Sequence, residues 1–135
     1  HGLSMSLYKL SYESWRYRVL PLMEQTERRN RHAFAKQVDE ALLNGRASLF
    51  LVEEGLFVLE PSLDNDEMQV WVLFAWSVRK GALKRQLPRV EHLAKRIQAK
   101  KLLLNTAVKS LRVSLIDSGF CCIETGDVET WCKEI

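Results

Sequence analysis

The sequence predicts a mixed α/β (α+β) domain in which helices cover both faces of one mostly antiparallel sheet. Three observations predict it. Short apolar runs of strand length alternate with helical stripes along the whole chain, one long run from Glu67 to Ser77 is apolar on both faces, and hairpin signals stand in the middle and at the end. At 135 residues, 47% of them hydrophobic, the chain can build one continuous core, so residues 1–135 read as a single domain. His1 and Gly2 precede any structural signal, are read as an expression-tag remnant and are set aside.

Leu3 to Leu10 alternates apolar and polar residues as a short strand does. Ser11 then offers an N-cap before Tyr12, Trp15, Val19 and Leu22, which recur at helical spacing. Pro21 should kink or end that helix, and Arg28-Arg29-Asn30-Arg31 should be a solvated connection. A second helix is expected from about His32 to Asn44, with Phe34, Val38, Ala41 and Leu42 inward and Gly45 as its stop. Ser48–Val52 and Leu56–Leu59 read as strands joined by a two-residue turn at Glu54-Gly55. Pro61 to Asp66 reads as a loop, and Glu67 to Ser77 as the central strand. Trp71 and Trp76 differ in strand parity, which predicts opposite faces for them.

After the basic turn Arg79-Lys80-Gly81-Ala82, a helix to about Ala99 carries the stripe Leu83, Leu87, Val90, Leu93, Ala94 and Ile97, with Pro88 suited only to a first turn. Lys101–Asn105 is a short buried strand, and Val108, Leu111, Leu115 and Ile116 mark a helix stopped at Ser118-Gly119. Phe120–Glu124 and Val128–Lys133 close the chain as a hairpin around Thr125-Gly126-Asp127, setting Cys122 opposite Thr130 and Cys132 opposite Phe120. No internal repeat or linker interrupts the order β-α-α-β-β-β-α-β-α-β-β.

Charge excludes little, since 20 basic residues stand against 17 acidic ones for a net +3. The three cysteines are odd in number and crowded at one end, which suits a reducing compartment such as the cytoplasm, or a particle assembled there. They make no metal site, because no Cys-x2-Cys pair faces a second pair of ligands, and no metal is expected. They read as packing residues, with no histidine nearby in sequence to activate a thiol. No apolar stretch approaches the roughly 20 residues of a membrane span. Arg28, Arg29 and Arg31 with Trp15 and Tyr17 could form a nucleic-acid patch, but the aromatics fall on expected core stripes, which disfavours that partner.

The turn after the long strand carries the clearest chemistry. A helix N-terminus following a buried strand presents unpaired N–H donors, and Arg79, Lys80, Lys84 and Arg85 strengthen it as an anion site; the plain alternative is a solvated basic loop.

This order, with the long strand feeding a Gly-containing basic turn, then helix, strand, helix, Gly119-Phe120 and a hairpin, resembles the GNAT superfamily of acyl-CoA N-acyltransferases over nearly the whole chain. The resemblance implies acetyl-CoA as cofactor, its pantetheine arm along Trp71 to Ser77 at Phe74, Ala75 and Trp76, and its pyrophosphate at Arg79, Lys80, Gly81, Ala82 and Lys84. The chain departs from the family's pattern at three places. Val78 stands at the leading polar position of the turn, Leu83 at its last small one, and Leu115 where the family's proton-donating tyrosine is expected. Glu67 and His92 are the candidate general bases, each against a plain reading as a solvated charge. A narrower resemblance, through Leu87-Pro88, Gly119-Phe120 and Lys133-Glu134-Ile135, is to small phage-encoded GNAT-like proteins, and it implies a role in assembly through a protein partner or homo-oligomer with catalysis optional. Three readings stay open: an N-acetyltransferase with degraded motifs, a non-catalytic protein of the same fold, and a nucleic-acid module.

Overall fold

A computed structural model describes residues 7–135. His1, Gly2 and the first half of the expected opening strand, Leu3 to Ser6, lie outside the described residues. The chain runs β1 (Leu7–Leu10), α1 (Tyr12–Asn30), α2 (Ala35–Leu43), β2 (Ser48–Val52), β3 (Gly55–Asp64), β4 (Glu67–Ser77), α3 (Ala82–Arg96), β5 (Lys101–Thr106), a 3-10 turn (Lys109–Leu111), α4 (Arg112–Asp117), β6 (Cys121–Glu124) and β7 (Glu129–Glu134). These seven strands form one sheet in the order β1-β2-β3-β4-β5-β7-β6. All neighbours are antiparallel except β4 and β5, so the expected mixed sheet is present.

Each face has its own core. On one, Val19 and Met23 of α1 and Val38 and Ala41 of α2 pack on Leu49, Val58 and Phe74. On the other, Leu87 and Val90 of α3 and Leu115 of α4 pack on Val70, Leu102 and Trp131. Between α1 and α2, the Tyr12 hydroxyl donates to Asp39 Oδ1 at 2.6 Å and Arg16 donates to both Asp39 oxygens at 2.8 and 3.0 Å. The hydrogen bond from Arg16 holds the Asp39 carboxyl below its ordinary range against the opposing effect of burial.

Several expectations are corrected. Pro21 does not end its helix, since α1 runs on to Asn30, and Pro88 lies inside α3 beyond the first turn expected for it. Both rings sit on exposed positions, and a lost helical bond worth roughly 3 kcal/mol is offset by the buried stripe on either side of it, about 2 kcal/mol for each residue such as Val19 and Met23. The second helix starts at Ala35 instead of His32, because Glu27 Oε1 accepts the N–H groups of Phe34 at 2.8 Å and Ala35 at 3.0 Å. Tyr17 is 71% exposed rather than part of a core stripe, and the Arg18 guanidinium lies 5.5 Å from its ring centre.

The hairpin after β2 turns at Glu53-Glu54, one residue earlier than expected, since Val52 pairs with Gly55. Gly55 belongs to the strand for a steric reason: a Cβ there would lie 2.1 Å from the Trp76 carbonyl oxygen. Pro61 lies inside β3 and not in a loop. Its missing N–H is tolerated because β2 pairs with β3 only as far as Leu59, leaving Pro61 with β4 alone. The turn falls instead at Asn65-Asp66, both at positive φ. In the last hairpin Cys121 pairs with Cys132 and Cys122 with Trp131, one residue off the expected register: Glu124 pairs with Thr130, so the turn is two residues longer than expected, and the bulge at Ile123 takes one of them back.

Candidate functional site

The parallel pairing of β4 with β5 is limited to Gln69–Lys101, Val70–Leu102 and Trp71–Leu103. Beyond those pairs β4 continues to Ser77 with β3 as its sheet partner, and β5 continues to Thr106 with β7 as its partner. The two strands therefore splay at their C-terminal ends, each leaving one row of backbone groups without a strand opposite. A bulge aids the divergence. Leu59 pairs with Val72 and Val58 with Phe74, so Leu73 is an extra residue on β4.

That bulge also resets the faces of the two tryptophans. Val70 and Val72 belong to the α3 core, whereas Phe74 and Trp76 pack toward α1 and α2. Trp71, between the two valines, therefore shares its face with Trp76, contrary to the parity expected from sequence.

A cleft of about 710 Å³ opens at the splay. Its floor is β4 from Trp71 to Ala75; one wall is the start of α3 with Gly81, Ala82, Leu83 and Lys84, and another is Asn105 and Thr106 at the end of β5 with Leu111 and Ser114 beyond it. The far rim is polar: Arg29 and His32 from the end of α1 and the loop beyond it, with Arg46 and Glu60 3.8 Å apart as an ion pair. Gly81 has φ 81°, which lets the chain turn from β4 into α3, and no side chain caps that helix. At α2, by contrast, Glu27 occupies the corresponding donors.

The structure brings together Phe74, Ala75, Gly81, Ala82 and Lys84 from the expected set. Trp76, Arg79 and Lys80 do not line the cleft. Trp76 packs in the α1/α2 core, and its carbonyl accepts a 2.9 Å bond from Gln86 Nε2. Arg79 instead pairs with Glu54 at 3.3 Å, and the Lys80 carbonyl accepts from Arg85 Nε at 3.0 Å.

Neither candidate base reaches the cleft. Glu67 lies at the start of β4, paired with Asp64 beside the hairpin turn, at the end where β5 stays closed against β4. His92 is exposed on α3, off the stripe formed by Leu87, Val90 and Ala94. Leu115 is 1% exposed inside the α3-side core, so the α4 residue before it, Ser114, is the one that borders the cleft. Sequence reasoning missed Glu60, His32 and Ser114. Glu60 falls between the strand expected to end at Leu59 and the loop expected from Pro61; its partner across the sheet, Trp71, puts it on the cleft's face.

No family model matches the sequence, and no curated protein matches it. Solved structures do match over nearly the whole chain. A GNAT-family acetyltransferase from Listeria monocytogenes superposes with a TM-score of 0.70 at 14% identity, covering 99% of this chain and 96% of that one. FeeM, an N-acyl amino acid synthase from uncultured soil microbes, gives 0.73 at 12% identity over 96% and 89%. NAA60 from Arabidopsis thaliana, solved in complex with acetyl-CoA, gives 0.63 at 12% identity over 98% and 99%. The chain has the GNAT fold.

Proposed function

We propose that this protein binds acyl-CoA in the cleft between β4 and β5 and passes the acyl group to an amine at slow rate. The observation that supports the reading best is the slot itself. Two strand edges with unpaired backbone groups face each other, and an uncapped helix N-terminus stands at the end of one of them. Pantetheine carries amides that can pair along such an edge, and the pyrophosphate meets the N–H groups of α3 with Lys84 beside them. The fold's acetyl-CoA-bound relative supports the same ligand class.

When bound, acyl-CoA supplies an acyl thioester. The residues around it have separable tasks. Glu60, on the polar rim, takes the proton that the acceptor amine sheds on attack, and Arg46, 3.8 Å away, orients its carboxylate. Ser114 is the hydroxyl that α4 offers to the departing sulfur, a much weaker acid than a phenol. Leu83 narrows the first turn of α3 where a small residue would admit phosphate more closely. These two features are why the transfer is slow.

The test is a calorimetric titration with acetyl-CoA followed by a thiol-release assay on a panel of amines. Saturable binding with slow release is expected, and Lys84→Glu should weaken binding by roughly tenfold or more through loss and reversal of one charge. No heat at millimolar acetyl-CoA ends this reading. Binding with no release for any amine retains the ligand and removes the transfer, the outcome that suits a phage-type assembly role.

A further inference from the structure

Outside the cleft, the last hairpin holds a pair of thiols that packing does not explain. Cys121 and Cys132 are directly opposite each other on β6 and β7. Residues opposite in an antiparallel pair share a face, with Cα atoms about 4.5 or 5.5 Å apart depending on the pair type, and both values fall inside the range a disulfide spans. Cys121 is exposed on an edge strand and Cys132 is half-buried beside it; both are free thiols. Cys122 points the other way. It packs against the α3-side core with Trp131, its partner in register, and its Sγ lies 3.4 Å from the Glu124 carbonyl. Three neighbouring cysteines are thus sorted by the pleat into one facing pair and one bystander.

The pair belongs to a longer row. Glu60 of β3, Trp71 of β4, Leu103 of β5, Cys132 of β7 and Cys121 of β6 follow one another in register across the sheet, all on the face away from α3. The thiols therefore sit on the same sheet face as the cleft's polar rim.

We propose that Cys121 and Cys132 are a reversible dithiol–disulfide couple that reacts with low-molecular-weight disulfides. The exposed Cys121 thiolate attacks one sulfur of the small disulfide, forming a mixed disulfide and expelling one thiolate. Cys132 gives up its proton, and its thiolate attacks the Cys121 sulfur, forming the protein disulfide and expelling the second small thiolate. The two protein sulfurs are oxidised by two electrons in total, the small disulfide is reduced by the same two, and the protons from the two cysteines end on the two released thiols. Burial pushes the Cys132 thiol above its ordinary range, so the second step quickens as pH rises.

The experiment incubates the whole protein with excess oxidised glutathione, quenches with acid and maps peptides by mass. The expected product is a Cys121–Cys132 crosslink lighter by two hydrogen atoms, reversed by dithiothreitol and formed equally by Cys122→Ser. Cys132→Ser should stop at a glutathione adduct on Cys121. A persistent adduct on the unmodified protein, a bridge that includes Cys122, or a covalent dimer through Cys121 overturns the proposal. The map of the unmodified protein decides the matter even where a serine variant fails to fold.

Discussion

At the residue scale, α4 separates two neighbours that sequence counting confuses. Counting four residues back from Gly119 reaches Leu115, yet that side chain is in the core and Ser114 borders the cleft. Leu115→Tyr therefore adds a ring and a hydroxyl to a filled interior and should lower stability by about 1–3 kcal/mol without helping transfer. Ser114→Tyr should keep the melting temperature and raise acetyl-CoA thiol release by ~10²-fold, because a phenol is a far better proton donor than an alcohol. Melting curves and release rates on the two variants check both; a fast Leu115→Tyr enzyme would show that the α4 assignment is wrong. Glu60→Gln keeps the shape of the rim and removes the proposed proton acceptor, so release should fall by ~10²-fold while acetyl-CoA affinity stays within twofold or so. Equal loss of affinity would move Glu60 from proton transfer to ligand binding.

At the element scale, the parts legible in sequence are those fixed by long apolar patterns. The order of helices and strands, the long β4 and the basic turn into α3 all follow from periodicity and from Gly81. What was illegible depends on single-residue offsets. The bulge at Leu73 puts Trp71 and Trp76 on one face, the bulge at Ile123 brings Cys121 opposite Cys132, and the turn at Glu53-Glu54 draws Gly55 into β3. A one-residue slip inverts every facing assignment along a strand, and no local pattern in the sequence marks these three. Gly55 supplies the sharpest test of this scale. A Cβ there meets the Trp76 carbonyl oxygen at 2.1 Å and Gln86 Nε2 at 2.6 Å, the first of which is backbone and cannot turn aside. Gly55→Ala should therefore force β3 off β4 and cost about 3 kcal/mol or more, read as a lower urea midpoint or as insoluble protein. An alanine variant as stable as the parent would mean that the two strands are farther apart than this.

At the scale of the whole molecule, three carboxylates tie separate elements together, and all are held below their ordinary range. Glu27 joins α1 to the start of α2 through the Ala35 and Phe34 N–H groups, which are the main cause of its depression. Asp39 joins α1 to α2, chiefly through Arg16. Glu129 joins β7 to α4: burial acts to raise it, but the Trp131 indole N–H at 3.2 Å and the charges of Lys109 and Arg112 together bring it down. A carboxyl depressed in the folded state contributes stability that is fully present above its unfolded value, near pH 4, and is lost as pH falls through the folded value. Tyr12 acts at the opposite end. Burial, with the hydrogen bond to Asp39, raises its phenol, so its contribution is intact below an unfolded value of about 10 and is lost as pH rises beyond that. The melting temperature should therefore be nearly level from about pH 5 to about pH 9 and fall outside both limits, with the acid fall shallower in Asp39→Asn, whose side chain has no proton to gain there. Thermal melts across pH in the parent and in Asp39→Asn are the measurement. Parallel acid slopes in the two proteins would show that Asp39 does not take part in the acid transition, leaving Glu27 and Glu129 to account for it.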